Sequence, residues 1–115
     1  MHFGETVIIL FKDTGLKKLC ETKKVANKKL GAKSAKKLRG RLADLMAVQS
    51  ISDLVTGSPH PLRGSRAGEF ALRLDGGDRL VFVSADEPVP KAADGSIDWF
   101  RVTKVRITFI GDYHD

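Results

Sequence analysis

The sequence predicts a single α+β domain made of one strand, two helices, a β-hairpin and a closing strand. Apolar residues alternate with polar ones over residues 70–82 and 105–109, as in strands that bury one face. Between residues 16 and 48 they recur at intervals of three and four, which is typical of amphipathic helices. A chain of 115 residues is long enough for one sizeable core but not two.

The first strand is predicted at Thr6 to Phe11, a run that is apolar on both faces. That composition favours a strand in the interior of the sheet, covered by other elements on each side. A short helix should follow, with Leu16, Leu19 and Cys20 on its apolar stripe, and should end in the region 28–31.

Ser34 is the expected N-cap of a second helix that runs to about Val48. Its apolar stripe consists of Leu38, Leu42, Leu45 and Met46. The two helices should pack as a helical hairpin. Their many lysines are interpreted first as a solubilising face, and otherwise as a surface that a regulatory protein covers.

The β-hairpin spans the segment before and after Asp75-Gly76-Gly77. A loop of about three residues, with Gly77 in the left-handed conformation, would put all the alternating apolar residues on one face. In that register Leu72 faces Leu80, Phe70 faces Phe82, and Arg73 faces Arg79 on the other side. Opposed like charges cost about 0.2 to 1 kcal/mol, so both arginines either stay in water or hold an anion.

The remaining segments are less regular. Residues 50–54 predict a helical turn, and a loop at 56–61 leads to the hairpin. The long, proline-containing segment Ser84 to Ser96 is predicted to be a mobile loop. Trp99 is interpreted as a packing anchor, and Val105, Ile107 and Phe109 as the apolar face of the last strand.

Charge and cysteine content limit the function classes. A net charge of +6 and a pI near 9.7 favour a polyanionic partner, either nucleic acid or an acidic protein segment. No apolar run approaches the roughly 20 residues of a membrane span, and no signal-peptide pattern opens the chain, so we expect a cytoplasmic protein. Cys20, the single cysteine, is expected to be a buried small hydrophobe.

The residue types that carry chemistry lie in the hairpin and at the end of the chain. His60 stands between two prolines, which restrict its backbone, although a surface loop histidine would show the same pattern. No metal-ligand spacing, phosphate-binding loop or dinucleotide motif is present, so no metal or cofactor is predicted. The candidate site consists of His60, Arg63, Arg79, Asp112, Tyr113 and His114.

Such a set suits metal-free cleavage of RNA. The 2′-OH of RNA supplies the nucleophile, so the protein must move two protons and offset the charge on the phosphorane. Histidine suits proton transfer near neutral pH, arginine holds two phosphate oxygens at once, and tyrosine can stack on a base.

The element order and the fragments HPLRG, DRLVF and DYH resemble the HigB-type toxins of the RelE/ParE superfamily, across nearly the whole chain. The resemblance implies a RelE-like α+β fold with two N-terminal helices on a mostly antiparallel sheet of about four strands. It also implies an mRNA interferase that cuts messages in the ribosomal A site. A helix-turn-helix antitoxin of the HigA kind would neutralise it, and the complex would bind operator DNA.

The resemblance also assigns residues. His60 matches the histidine of the family's HPL(K/R)G motif, and the closing residues match its acidic-Tyr-His set. Arg79 matches a strand arginine, although Asp78 replaces the aromatic residue that usually precedes it, and Asp115 extends past the closing histidine. The catalytic set implied is His60, Arg79, Asp112, Tyr113 and His114, and Arg63 stands where relatives often have lysine. Arg63, Arg66 and Arg73 are predicted to bind RNA, although Arg73 has no assigned counterpart in the family.

A second class of function stays open at this point. The chain would then be a ParE-like gyrase poison, or a non-catalytic module that acts only in an antitoxin and operator complex. A scaffold that binds gyrase needs no proton-transfer residues at His60 and the closing DYH, so these positions discriminate between the two classes.

Overall fold

The fold is built on a five-stranded β-sheet. The computed structural model describes residues 6–113. Five strands lie in the order β1-β5-β4-β3-β2, with β1 parallel to β5 and the other neighbours antiparallel. Their bounds are β1 Ile8–Phe11, β2 His60–Pro61, β3 Glu69–Arg73, β4 Asp78–Ser84 and β5 Lys104–Asp112. The prediction of about four strands missed β2, because two residues are too few for an alternation pattern.

The described part of the chain has three helices where the sequence predicts two. They are α1 Thr14–Glu21, α2 Lys23–Leu30 and α3 Ala32–Ala47. The first predicted helix is divided at Thr22, whose backbone is extended and whose N–H donates to the carbonyl of Lys18. Thr22 is β-branched, and β-branched residues have a slightly lower helix propensity. No helix among residues 6–113 is long and apolar enough to cross a membrane.

Ser34 is not the N-cap of α3. The helix begins after Gly31, which has φ 84°, and Ser34 is a buried residue of its first turn. The Ser34 hydroxyl donates to Asp78 Oδ2 at 2.6 Å and accepts from the backbone N–H of Asp75 at 3.2 Å. The serine therefore joins the helical layer to the hairpin turn, a long-range role that local spacing does not indicate.

The core lies between the helices and one face of the sheet. The predicted hairpin residues Phe70, Leu72, Leu74, Leu80 and Phe82 are all buried, as predicted. They join Leu38 and Leu45 of α3 in one cluster, although Met46 is 64% exposed. Cys20 was expected to be buried and is half-buried, packed against the core cluster. Desolvation, with a smaller contribution from Glu21, raises the pKa of its thiol to about 12.

β1 was expected inside the sheet, and this prediction is wrong. It is an edge strand, on which Ile8 is 46% and Leu10 is 37% exposed. A run of apolar residues cannot by itself distinguish an interior strand from an edge strand with one uncovered face.

The segment between β4 and β5 is anchored to both strands. Asp86 accepts hydrogen bonds from Ser84 and Thr103, next to the ends of β4 and β5. Trp99 packs on Phe70 and Phe82 with ring centroids 4.9 and 6.0 Å apart, which confirms its role as a packing anchor. The mobility predicted for residues 84–96 stays a prediction.

Candidate nucleic-acid interface

The sheet has a second face, turned away from the helices. Residues paired directly across neighbouring strands share a face, and side chains alternate between faces along a strand. Because the pairs Phe70/Phe82 and Leu72/Leu80 face the core, the residues between them face outward. We call this surface the open face; its residues are His60, Glu69, Ala71, Arg73, Arg79, Val81, Val83, Arg106, Phe109 and Gly111.

One row of the open face runs from His60 through Ala71 and Val81 to Phe109. Ala71 and Val81 are fully buried, whereas His60 at the β2 edge is exposed. Strands lie about 4.8 Å apart, so His60 and Phe109 are separated by roughly 14 Å along the row. This row has an imidazole at one end and an aromatic ring at the other.

The ring of His60 is oriented by its own loop. Nδ1 lies 2.7 Å from the carbonyl oxygen of Ser58, which can only accept, so Nδ1 donates. The neutral ring therefore has Nε2 as its acceptor nitrogen. This loop is itself fixed to β3 by a hydrogen bond of 2.7 Å, which the N–H of Arg73 donates to the carbonyl of Gly57. Gly57 has φ 92°, in the left-handed region that favours glycine. A Cβ at Gly57 would lie 2.5 Å from Nε of Arg41, so the loop needs glycine there.

The next row contains Arg73, Arg79 and Gly111. The predicted opposition of Arg73 and Arg79 is confirmed. Arg79 is half-buried and its Nη1 donates to the carbonyls of Asp78 at 3.0 Å and Gly76 at 3.3 Å, whereas Arg73 is exposed. Gly111 adds no side chain to this row, so the row presents two cations and no carboxylate.

The hairpin turn differs from its prediction. Gly76, with φ 55°, and not Gly77, adopts the left-handed conformation. Gly77 is instead needed for space, because a Cβ there would lie 2.6 Å from Oδ2 of Asp112. Asp112 pairs with Asp78, which places it on the helix side of the sheet, next to the turn. The structure therefore separates the Asp112 carboxylate from the open face, and its catalytic role stays a prediction.

Arg66, Tyr113 and Phe109 form a stack at the end of β5. Cζ of Arg66 lies 4.0 Å from the ring centroid of Tyr113 and 5.9 Å from that of Phe109. The two rings are 5.9 Å apart and tilted by 70°, and Arg66 Nη1 bonds Oε1 of Glu69 at 3.0 Å. Cation–π contacts of this kind are each worth about 0.5 to 2 kcal/mol. Tyr113 is thus packed against Phe109 of the sheet and against Arg66.

Sequence reasoning missed Phe109 and Glu69 as members of this surface. Phe109 was assigned to the same face as Val105 and Ile107, yet the register of β4 and β5 shifts between Val81 and Phe82. The extra residue in β5 is Thr108, so Phe109 emerges on the open face. The two-residue spacing of apolar residues gives no sign of this bulge.

Two predicted site residues, Arg63 and His114, are not among the residues that we listed for the open face. Arg63 is exposed and directly precedes the short 3₁₀ turn Gly64–Arg66. His114 lies outside the described residues. The residues that we listed for the open face include three arginines, and Glu69 is the one acidic residue among them. A face with three arginines and a histidine, bordered by a half-buried stack of Arg66, Tyr113 and Phe109, suits a nucleic acid.

The three helices and the mixed five-stranded sheet of the described residues match a RelE/YoeB-like toxin fold, so the predicted RelE-like α+β fold is confirmed. A YoeB/ParE toxin from Agrobacterium tumefaciens is similar over 94% of this chain and 100% of its own, with a TM-score of 0.57 and 13% identity. A YoeB-YefM complex from Staphylococcus aureus is similar over 95% and 98%, with a TM-score of 0.55 and 18% identity. At these identities the likeness shows the fold alone. No protein-family model and no curated protein matches the sequence.

Proposed function

We propose that the protein is the toxin of a type II toxin-antitoxin system and acts as a ribosome-dependent mRNA endoribonuclease. The observation that carries the proposal is the open face, which combines His60 with Arg73, Arg79 and Arg106 and is bordered by the Arg66–Tyr113–Phe109 stack. The fold shared with toxins and the HigB-type fragments HPLRG, DRLVF and DYH support it.

In this proposal the open face cleaves RNA without a metal ion. The 2′-oxygen attacks the adjacent phosphorus, its proton passes to a base, and the 5′-oxygen leaves with a proton from an acid. His60 and His114 are the proton-transfer groups, and which of them acts as the base stays open. Arg79 and Arg73 balance the charge of the phosphorane, while Arg63 and Arg66 hold the neighbouring RNA and Tyr113 stacks on a base.

The partners follow from the same proposal. mRNA in the ribosomal A site is the substrate, and the protein acts in the cytoplasm. A helix-turn-helix antitoxin of the HigA kind neutralises it and carries the complex to operator DNA. One similar structure is a YoeB-YefM complex from Staphylococcus aureus, which supports a protein partner.

The test is to express the chain in vivo and map new mRNA 5′ ends. Wild type should arrest growth and create new ends inside coding regions. His60→Ala should lose both effects, because losing a general acid or base costs about 10² to 10⁴ in rate. Lys33→Ala, an exposed helical position, is the matched control and should behave as wild type.

Growth arrest with intact messages and broken DNA would support instead the ParE-like gyrase poison. No arrest by a stable, folded chain would support the non-catalytic binding module. Either result would contradict the nuclease proposal.

A further inference from the structure

The loop that carries His60 is held by a side chain from the helical layer. Arg41 lies on α3, and its Nε donates to the carbonyl of Arg73 at 3.1 Å. Arg73 is the last residue of β3, and its own N–H donates to the carbonyl of Gly57 at 2.7 Å. Two hydrogen bonds thus join α3 to the loop through the end of β3, and Arg41 stays on the helix side of the sheet, away from the open face.

Arg41 also packs directly on this loop. A Cβ at Gly57 would lie 2.9 Å from Cδ of Arg41, in addition to its close approach to Nε, and 3.3 Å from the carbonyl oxygen of Arg73. The backbone at Gly57 therefore fits between the Arg41 side chain and the end of β3. Arg41 is half-buried, so its aliphatic stem contributes packing surface while its Nε contributes a donor.

The next residue has an unfavourable backbone conformation. Ser58 has φ 48°, in the left-handed region that residues with a Cβ rarely adopt, and it precedes Pro59, which restricts its backbone further. A conformation of this kind persists only where the surrounding structure holds it. In this conformation the carbonyl of Ser58 accepts the hydrogen bond from Nδ1 of His60.

The ring of His60 depends on that carbonyl for its orientation. His60 is exposed, it belongs to a strand of two residues, and Pro59 and Pro61 on either side have no N–H to donate. A neutral imidazole can carry its proton on either nitrogen, and the partner of one nitrogen decides which. The hydrogen bond to Ser58 keeps the proton on Nδ1 and leaves Nε2 as the acceptor.

We propose that Arg41 is a positioning residue, which acts through the carbonyl of Arg73 and the Gly57–Ser58 turn to fix the imidazole of His60 with its proton on Nδ1 and Nε2 as the acceptor. The inference rests on the proposed function, in which His60 exchanges a proton with RNA. Arg41 lies behind the sheet and touches no RNA, so its effect is on the chemical step. Misplacing a catalytic group by about 1 Å can cost about 10² in rate.

The test compares two neutral substitutions of equal length. In Arg41→Gln the amide nitrogen takes the position of Nε, whereas in Arg41→Met a methyl group takes it, so the two variants differ in the donor and not in charge. Both keep the stem that packs on Gly57, so both should fold. Lys36→Met removes a charge from an exposed position of α3 and is the control.

The first measurement is the nitrogen chemical shifts of the His60 ring in the full ¹⁵N-labelled chain, at about pH 8.5, where an ordinary imidazole is neutral. Wild type, Arg41→Gln and Lys36→Met should show the separate shifts of a protonated Nδ1 and an unprotonated Nε2. Arg41→Met should show shifts averaged over the two tautomers.

The second measurement is single-turnover cleavage of mRNA on programmed ribosomes at saturating protein. Arg41→Met should be slower than wild type by about 10- to 100-fold, whereas Arg41→Gln should stay within about threefold. Lys36→Met should cleave at the wild-type rate.

Separate nitrogen shifts in Arg41→Met, or averaged shifts in Arg41→Gln, would overturn the inference. So would equal cleavage rates of the two variants when wild type is active. A lower melting temperature of Arg41→Met with unchanged His60 shifts would also overturn it, because Arg41 would then have a structural role only. If wild type cleaves no mRNA, the proposed function fails, whereas the ring shifts still decide whether Arg41 positions His60.

Discussion

The protein presents two basic surfaces built from different residues. Nine of the twelve lysines lie between Lys17 and Lys37, a segment with no arginine and one acidic residue, and all nine are exposed. The open face instead carries arginines together with His60 and the aromatic stack. Lysine is a strongly hydrated point charge, whereas the planar guanidinium can hold two phosphate oxygens and stack on rings.

The difference between lysines and arginines suggests that one surface steers association and the other takes part in the chemical step. In the described part of the chain, Lys37 is the member of the lysine group with an ion pair, to Asp75 at 3.1 Å, so the lysines act mainly through their field. Arg79 of the open face is oriented by carbonyls of the turn, and Arg66 at the border of that face is oriented by Glu69 and Tyr113. We therefore expect substitutions on the open face to change the chemical step, and substitutions among the lysines to change association.

The largest effect on mRNA cleavage is expected from deleting Tyr113 to Asp115. Loss of the Tyr113 stack and of His114 should abolish mRNA cleavage on programmed ribosomes, with a fall of at least about 10². Because Tyr113 packs on Phe109 and Arg66, the melting temperature should also fall.

Deleting Asp115 alone is the matched control and should leave both quantities unchanged. Cleavage at the wild-type rate by a stable truncated chain would show that the tail is not part of the site.

A smaller effect is expected from the lysines. Changing six of them, Lys17, Lys18, Lys23, Lys24, Lys28 and Lys29, to glutamine should slow association with the antitoxin at low salt. It should also flatten the dependence of that rate on salt, because charge steering is screened over about 8 Å at physiological ionic strength. Stopped-flow measurements between low and high salt test this. An unchanged salt slope in the variant would place the steering charges elsewhere.

The smallest effect is expected from Asp86, which belongs to neither surface, and it concerns the stability of the fold at acid pH. Burial by itself raises the pKa of Asp86, but hydrogen bonds from Thr103, Lys104 and Ser84 more than offset this, so its pKa is lowered. A lowered pKa stabilises the fold above the unfolded value, near 3.9, and this stabilisation is lost as pH falls through the folded value. Denaturant unfolding should show a shallower loss below about pH 4 for Asp86→Asn than for wild type. Parallel curves would contradict the assignment.

Local patterns predicted the face of the hairpin and its register. The alternation over residues 70–82 assigned Phe70, Leu72 and Leu80 to the core and Arg73 to the opposite face, because period two is decided by neighbours in sequence. The site on the open face was predicted in part. His60, Arg73 and Arg79 are on it, whereas Asp112 faces the helix side.

The remaining features depend on long-range contacts. The bulge that turns Phe109 outward arises from pairing with β4, and the use of Ser34 depends on a partner more than forty residues away, Asp78. The edge position of β1 depends on the final strand order. None of these can be read from spacing within one segment, since each is set when distant elements pack.

In the proposed function the open face, and not the lysine surface, performs the chemistry. Single-turnover cleavage of mRNA on programmed ribosomes at saturating protein tests it most directly, with two pairs of substitutions matched in charge. Arg73→Ala with Arg79→Ala should lower the rate by about 10² or more, mostly through Arg79, because these side chains balance charge in the transition state. Lys33→Ala with Lys36→Ala, both on exposed positions of α3, should leave the rate within about twofold, as expected for surface charges remote from the reacting phosphate. Equal losses in the two pairs, or a full rate in the folded arginine pair, would contradict the account.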